Sequence, residues 1–208
     1  RAHNTLLVDG KGQPYGDNRG HGRVRHYETH ERWVYWVGAA EQAYPDTPLE
    51  RFDRHVAWLR GDDVETYVIL DDVRTANGIP RRFDWLLHTA RRMEIDETKQ
   101  RLLVRGERGE AVVTMLQPAQ LQLRQNDDFE GNPAVYWRFG KNFPLPNQWH
   151  LKATPMPSVE QRFLAVVQVS RVGAEKPEVI PITSGVRTAD WEVRFDETSR
   201  RLKILPAP

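Results

Sequence analysis

Short β-rich runs, each closed by turn residues, dominate this sequence and restrict what it can fold into. Thr5–Val8 ends at Asp9-Gly10. Arg23–Thr29 and Arg32–Gly38 are rich in Val, Tyr and Trp. Val64–Leu70 is apolar enough to be a fully buried strand and is followed by Asp71-Asp72. Arg82–Thr89 places Phe83, Trp85 and Leu87 on one face, and Ala111–Leu116, Gln120–Arg124, Phe163–Ser170 and Val179–Thr183 add further runs. Strands of this length, punctuated by 14 glycines and 14 prolines, predict an all-β chain built as a β-sandwich. Its 208 residues suit one large β domain or two small ones.

Two hairpins resemble each other. Met93 and Ile95 precede an Asp96-Glu97-Thr98 turn, with Leu102 and Val104 beyond it. Trp191, Val193 and Phe195 precede Asp196-Glu197-Thr198, with Leu202 and Ile204 beyond. Apolar residues at period two flank the same turn each time, and shared turn chemistry explains the likeness better than a repeat. Thr47-Pro48-Leu49-Glu50 has the form of a helix-capping box, and Leu49, Phe52, Val56 and Leu59 fit a helical face. A strand through Val56 and Trp58 fits as well, so periodicity leaves this segment open. Prolines 118, 133, 144, 146, 155 and 157 mark an irregular stretch from Gln125 to Ser158.

Composition excludes some chemistry. With no cysteine there is no disulfide, thiolate nucleophile or cysteine-ligated zinc. Thirty basic residues against 29 acidic ones argue against a nucleic-acid partner, which would draw on a basic excess. The apolar stretches Trp33–Ala40 and Ala111–Leu116 fall far short of the roughly 20 residues of a membrane span, so no membrane partner is expected.

Several local patterns have both a bland and a chemical reading. Gly10, Gly12 and Gly16 follow a strand, but no helical period follows them, so a glycine turn is favoured over a phosphate loop. His26, Glu28 and His30 alternate, which suits either an exposed strand face or a zinc site. The pairs Asp62-Asp63, Asp71-Asp72 and Asp127-Asp128 read as turn residues rather than acid–base partners, since adjacent side chains on a strand diverge. Among the seven tryptophans, Trp33, Trp36 and Trp137 are candidates for a sugar-stacking face.

The opening residues Ala2-His3-Asn4-Thr5, the strand and turn Leu6-Leu7-Val8-Asp9-Gly10, and Gln13 resemble a motif of heparinase II/III-like polysaccharide lyases. So do Arg54-His55-Val56, Val68-Ile69-Leu70-Asp71 and Trp85-Leu86-Leu87-His88, which follow in the family's order. The likeness is good over roughly the first 90 residues and is nearest to heparinase II and the oligo-alginate lyases. Beyond Ala90 only a generic β pattern remains.

The resemblance implies a three-part enzyme: a helical toroid, a central β-sandwich, and a smaller C-terminal β region. The reaction is β-elimination on a uronic-acid polysaccharide. This chain would be the part after the toroid, truncated at its N-terminus relative to the family. Residues 1–125 belong to the central sandwich, and 126–208 supply the remaining sandwich strands and the C-terminal region. The partners implied are an acidic polysaccharide or oligosaccharide and the upstream toroid. The setting implied is the bacterial periplasm or secretion, and the lack of cysteine leaves the cytoplasm open as well.

No catalytic residue is expected here, because the family's catalytic Tyr, His and Asn lie upstream, and the 208 residues alone are expected to be inactive. His3 matches one ligand of the family's structural zinc, completed by an upstream His and Asp. Gln13 and His88 are candidates for substrate binding. The likeness also favours strand over helix from about Arg51, after a capped turn at Thr47. The alternatives are a non-catalytic β-sandwich that binds carbohydrate or packs on another domain, and an unrelated jelly-roll enzyme using His26 and His30.

Overall fold

The computed structural model describes residues 3–14, 20–127 and 148–208, together with the backbone of two strands, Val135–Arg138 and Lys141–Pro144. It is almost all β. The strands are β1 (Leu6–Val8), β2 (Arg23–Thr29), β3 (Trp33–Ala39), β4 (Leu49–Leu59), β5 (Val64–Thr75), β6 (Phe83–Thr89), β7 (Glu94–Asp96), β8 (Arg101–Arg105) and β9 (Gly109–Gln117). They continue with β10 (Gln122–Asn126), β11 (Val135–Arg138), β12 (Lys141–Pro144), β13 (Trp149–Thr154), β14 (Glu160–Arg171), β15 (Ile180–Ile182), β16 (Gly185–Arg187), β17 (Trp191–Asp196) and β18 (Arg201–Pro206). Among the described residues a single 3₁₀ turn, Glu41–Ala43, precedes β4. No described helix is long and apolar enough to cross a membrane.

An eight-stranded antiparallel sheet, ordered β2-β3-β4-β5-β14-β9-β8-β7, forms the middle layer. One of its faces packs on a four-stranded sheet, β1-β6-β13-β10. The other packs on the C-terminal sheet, β15-β16-β17-β18. Strand alternation produces both cores. Phe52, Val73, Phe163 and Ala165 face Leu6, Phe83, Trp85, Leu123 and Leu151. On the other side Tyr35, Ala57, Val68, Leu70 and Val166 face Val186, Val193, Phe195 and Leu202. Phe52, Phe83 and Phe163 are all buried, and each such side chain contributes about 1.5–3 kcal/mol of transfer energy.

The capping-box segment is strand, as the family likeness favoured. β4 starts at Leu49, two residues before the expected Arg51, with a register shift between the two. The glycine-rich stretch opens on a tight turn: Asp9 and Gly10 both take positive φ, and Val8 bridges Lys11.

The look-alike hairpins share their turn chemistry. Asp96 Oδ1 accepts from Thr98 Oγ1 at 2.7 Å and from the Lys99 amide at 3.1 Å, and Asp196 Oδ1 accepts from the Thr198 and Ser199 amides at 2.8 and 3.3 Å. Each turn ends on a left-handed residue, Gln100 at φ 49° and Arg200 at φ 51°. Gln100 pairs with both backbone groups of Leu121, while Arg200 reaches Asp72 in the middle sheet.

Two expectations are corrected. Asp71-Asp72 does not form a turn: β5 runs on to Thr75, and both aspartates lie buried inside it. The stretch from Gln125 to Ser158 is not irregular throughout, since β13 lies within it and pairs with both β6 and β10. Asp62-Asp63 does sit at a bend, and Asp128 lies outside the described residues.

Candidate functional site

The outer face of the four-stranded sheet is polar because the inner face takes every second residue for the core. β13 turns Trp149, Leu151 and Ala153 inward and leaves His150, Lys152 and Thr154 outside. Pairing sets the rows across the face. Asn126, His150 and His88 form one row, and Arg124 stands beside Lys152 in the next. Gln122 faces Thr154, whose hydroxyl donates to Asp84 at 2.8 Å. Arg82, Asp84, Arg124, Asn126, His150 and Lys152 line a concavity of about 500 Å³, with His88 next to His150 in the row. His88 and His150 stack with centroids 5.7 Å apart. Asp84 is buried at the floor, 3.4 Å from the Arg82 guanidinium. Three fixed cations, Arg82, Arg124 and Lys152, therefore line one hollow that holds a single carboxylate. Such a surface can neutralise carboxylates or sulfates on a chain laid across it.

Beside this face the chain's opening residues are tied down by the segments that resemble the lyase motifs. Asn4 Oδ1 accepts from the His88 amide at 2.7 Å, and His88 Nδ1 lies 3.2 Å from the same oxygen. The Asn4 carbonyl accepts from Arg54 Nη1. Arg54 grips Asp71 through two hydrogen bonds, Nε to Oδ1 at 2.6 Å and Nη2 to Oδ2 at 2.7 Å. The Trp85 indole donates to Asp71 Oδ2 at 3.1 Å. Burial pushes the Arg54 guanidinium toward losing its proton, but the charge and hydrogen bonds of Asp71 more than offset this and raise its pKa. The Tyr44 hydroxyl donates to the Leu6 carbonyl at 2.8 Å and lies 3.1 Å from Thr5 Oγ1; burial pushes its pKa up to about 12. One network thus joins all four motif segments.

The sequence-based candidates are placed as follows. His88 belongs to both the polar face and the network. Gln13 is exposed in the segment after β1. His3 is exposed, one residue before the anchored Asn4, and its carbonyl accepts from the Thr5 amide at 2.9 Å. An exposed imidazole next to an anchored residue fits one position in a metal's coordination shell. Among the described residues no three His, Asp or Glu side chains come together to complete one.

His26 contacts Glu28 at 3.4 Å, whereas His30 stacks on Trp33 at 5.4 Å, so the alternating trio is not gathered around a common point. Trp33 packs toward the C-terminal sheet and Trp36 points to the other face, so these two do not make one stacking platform. The side chain of Trp137 lies outside the described residues. Sequence reasoning missed Arg82, Asp84, Arg124, His150 and Lys152. Only the polar alternation at 150, 152 and 154 could have pointed to them.

No curated protein sequence matches the chain. Its fold is similar to that of a heparinase III, the BT4657 gene product, solved with methylated lysines (TM-score 0.62, 10 % identity, covering 99 % of this chain and 29 % of that one). It is similar also to a mutant of the heparan sulfate lyase HepC from Pedobacter heparinus (TM-score 0.61, 12 % identity, 100 % and 30 %). The heparinase III of the first comparison without that modification gives a TM-score of 0.59 at 10 % identity, with 99 % and 30 % covered. At these identities the likeness shows the fold. The chain spans about 30 % of the length of these proteins. They are heparinase III and heparan sulfate lyase structures, and the expected closeness to heparinase II and oligo-alginate lyases is not confirmed by them. The family model described as Heparinase II/III-like, C-terminal, matches residues 1–183, and the chain belongs to that family.

Proposed function

We propose that this chain is the β-sandwich portion of a polysaccharide lyase that cleaves a uronic-acid glycan by β-elimination. The outer face of the four-stranded sheet forms one wall of the substrate cleft. The observation that carries this reading is the hollow holding Arg82, Arg124, Lys152 and His150 in a chain of this family. In the elimination a base takes the C5 proton of the uronate, the electron pair forms the C4–C5 double bond, and the glycosidic oxygen leaves C4. The C5 proton is acidic enough only if the adjacent carboxylate is neutralised as charge develops on it. Arg124 and Lys152 hold that carboxylate, or a neighbouring one, against the wall, while the base comes from an upstream helical toroid of the same protein. His88 and Gln13 contribute further polar contacts to the bound chain.

Substituting Lys152 or Arg124 by alanine in the intact protein is expected to lower kcat/KM about tenfold or more, since tenfold corresponds to about 1.4 kcal/mol of transition-state binding. The readout is the ultraviolet absorbance of the unsaturated uronate product. Full activity in the double variant would remove this face from the cleft and favour a non-catalytic sandwich that binds carbohydrate or packs on another domain.

His3 is offered as one ligand of a structural zinc completed by an upstream His and Asp. Zinc bound there would fix the chain's opening segment against the toroid. It supplies no reaction step. His3→Ala in the intact protein is expected to lower zinc content from about one per chain toward zero, measured by atomic emission on dialysed protein. Unchanged content would exclude His3.

A further inference from the structure

A second hollow of about 500 Å³ opens between the middle sheet and the turn joining β17 to β18, on the opposite side of the middle sheet from the four-stranded sheet. Arg25 from β2, Arg51 from β4, and Arg200 and Arg201 from the turn and β18 all line it, with His26 beside them. We propose that this hollow is a binding site for a tetrahedral oxyanion, sulfate or phosphate, held between the middle sheet and the C-terminal sheet.

Cations outnumber carboxylates at the hollow: Arg25, Arg51, Arg200 and Arg201 line it against Glu50 and Asp53. Asp72, only 2 % exposed, is approached by three guanidinium groups: Arg51 at 3.0 Å, Arg162 at 3.5 Å, and Arg200. Arg162 has its own partner in Glu197. Arg25 divides itself between Glu41 at 3.0 Å and Asp53 at 3.3 Å. At the rim Glu50 is engaged by Arg74 at 2.9 Å. Arg51 and Arg200 therefore share Asp72 with a third cation, Arg51 reaches a second carboxylate, Glu160, only at 3.7 Å, and Arg201 adds its charge at the same hollow. The Nε of Arg200 is buried and has no hydrogen-bond partner among the described residues. A buried N–H without an acceptor is costly, and a ligand oxygen would satisfy it. Burial, and after it the charge of Arg51, hold the pKa of Arg200 below the ordinary arginine value. Arg200 is held there by the left-handed backbone of its turn, at φ 51°. The geometry favours a tetrahedral ion over a carboxylate: the donors converge from three strands and a turn, and four oxygens can meet them where two coplanar ones cannot. The hollow is larger than a bare ion, so the ion can arrive free or as an ester on a sugar.

The test uses the full-length protein, with thermal unfolding and calorimetry in sodium sulfate and sodium phosphate against chloride at matched ionic strength. The expected result is a saturable rise in Tm at millimolar sulfate or phosphate, as for any ligand that binds only the folded state. Arg25→Gln and Arg201→Gln, at exposed positions, are each expected to weaken binding at least tenfold, while Lys99→Gln, exposed on the β7–β8 turn, leaves it unchanged. Comparing a sulfated disaccharide with its unsulfated counterpart separates the sources. Tighter binding of the sulfated sugar than of inorganic sulfate assigns the site to a glycan ester, and equal binding assigns it to the free ion. A rise in Tm that never saturates, as solvent exclusion alone gives, overturns the site. So does saturable binding that keeps its full affinity in the Arg25→Gln, Arg201→Gln double variant or disappears in Lys99→Gln.

Discussion

Arg54→Ala is expected to destabilise the fold by about 3–5 kcal/mol, the range for breaking a buried ion pair from one side. Asp71 is completely buried, and Arg54 supplies two of its hydrogen bonds. After the substitution the Trp85 indole would still donate to it, but no cation would face it from β4. Asp71→Asn should be milder, because the Arg54 side chain is 26 % exposed and can recover water. Replacing both residues by leucine should cost less than Arg54→Ala alone, since it removes the buried charge together with its partner. At about 2–4 °C per kcal/mol for a chain of this size, the single variant should melt roughly 10 °C lower. Urea denaturation ranks the three variants, and adding Arg54→Leu and Asp71→Leu closes the cycle that measures the coupling. Equal losses in Arg54→Ala and the double leucine variant would show that the pair contributes packing alone. The same substitution frees the Asn4 carbonyl, so zinc content should fall along with stability if the network positions His3.

That network shows where sequence reading stops. Arg54 and Asp71 both stand in segments that resemble the lyase motifs, yet Asp71 read as a turn residue because aspartate is disfavoured in strands. What keeps it inside β5 is a cation 17 residues earlier on the neighbouring strand, a pairing that only the β4–β5 register creates. β13 was hidden for a related reason. Prolines crowd both of its ends, at 144, 146, 155 and 157, and they suggested a loop. Prolines also bound strands, and the inward Trp149, Leu151 and Ala153 carry the period-two signal between them. The all-β class and most strands were legible because alternation and turn residues are local properties. The polar face was not, because Arg82 just before β6, Arg124 on β10 and Lys152 on β13 meet only through long-range pairing. His88 was found through a motif and not through its chemistry. Its neighbour His150 stands in a segment that resembled nothing.

The junction between the middle and C-terminal sheets should weaken in mild acid. His55 is 1 % exposed on β4. Its Nδ1 lies 2.8 Å from the Tyr35 hydroxyl, which in turn accepts from the Leu202 amide at 3.0 Å, so the hydroxyl proton points at the ring. That arrangement requires neutral imidazole. The edge of the pair is closed by Phe195, 5.6 Å away from the histidine ring. Burial, and after it the charges of Arg200, Arg162, Arg25 and His26, push the pKa of His55 down from 6.5 to about 4. Because the unfolded chain takes up this proton first, the associated stability is intact above pH 6.5, falls as the pH drops from there to about 4, and levels off below. At 1.36 kcal/mol per pH unit the full loss is about 3 kcal/mol. Nearby Asp53 is raised by burial and works in the opposite direction, while Glu197, held down by Arg162, loses its contribution only at lower pH. Urea midpoints between pH 4 and 7 give the slope, and His55→Gln should flatten it over this window while lowering stability at pH 7. An unchanged slope in that variant would place the titrating group elsewhere. The mechanical consequence is specific: the proton on Nδ1 confronts the Tyr35 hydroxyl, so Tyr35 must turn away and release the Leu202 amide, and β18 loses its direct hydrogen bond to the middle sheet before the other core is touched.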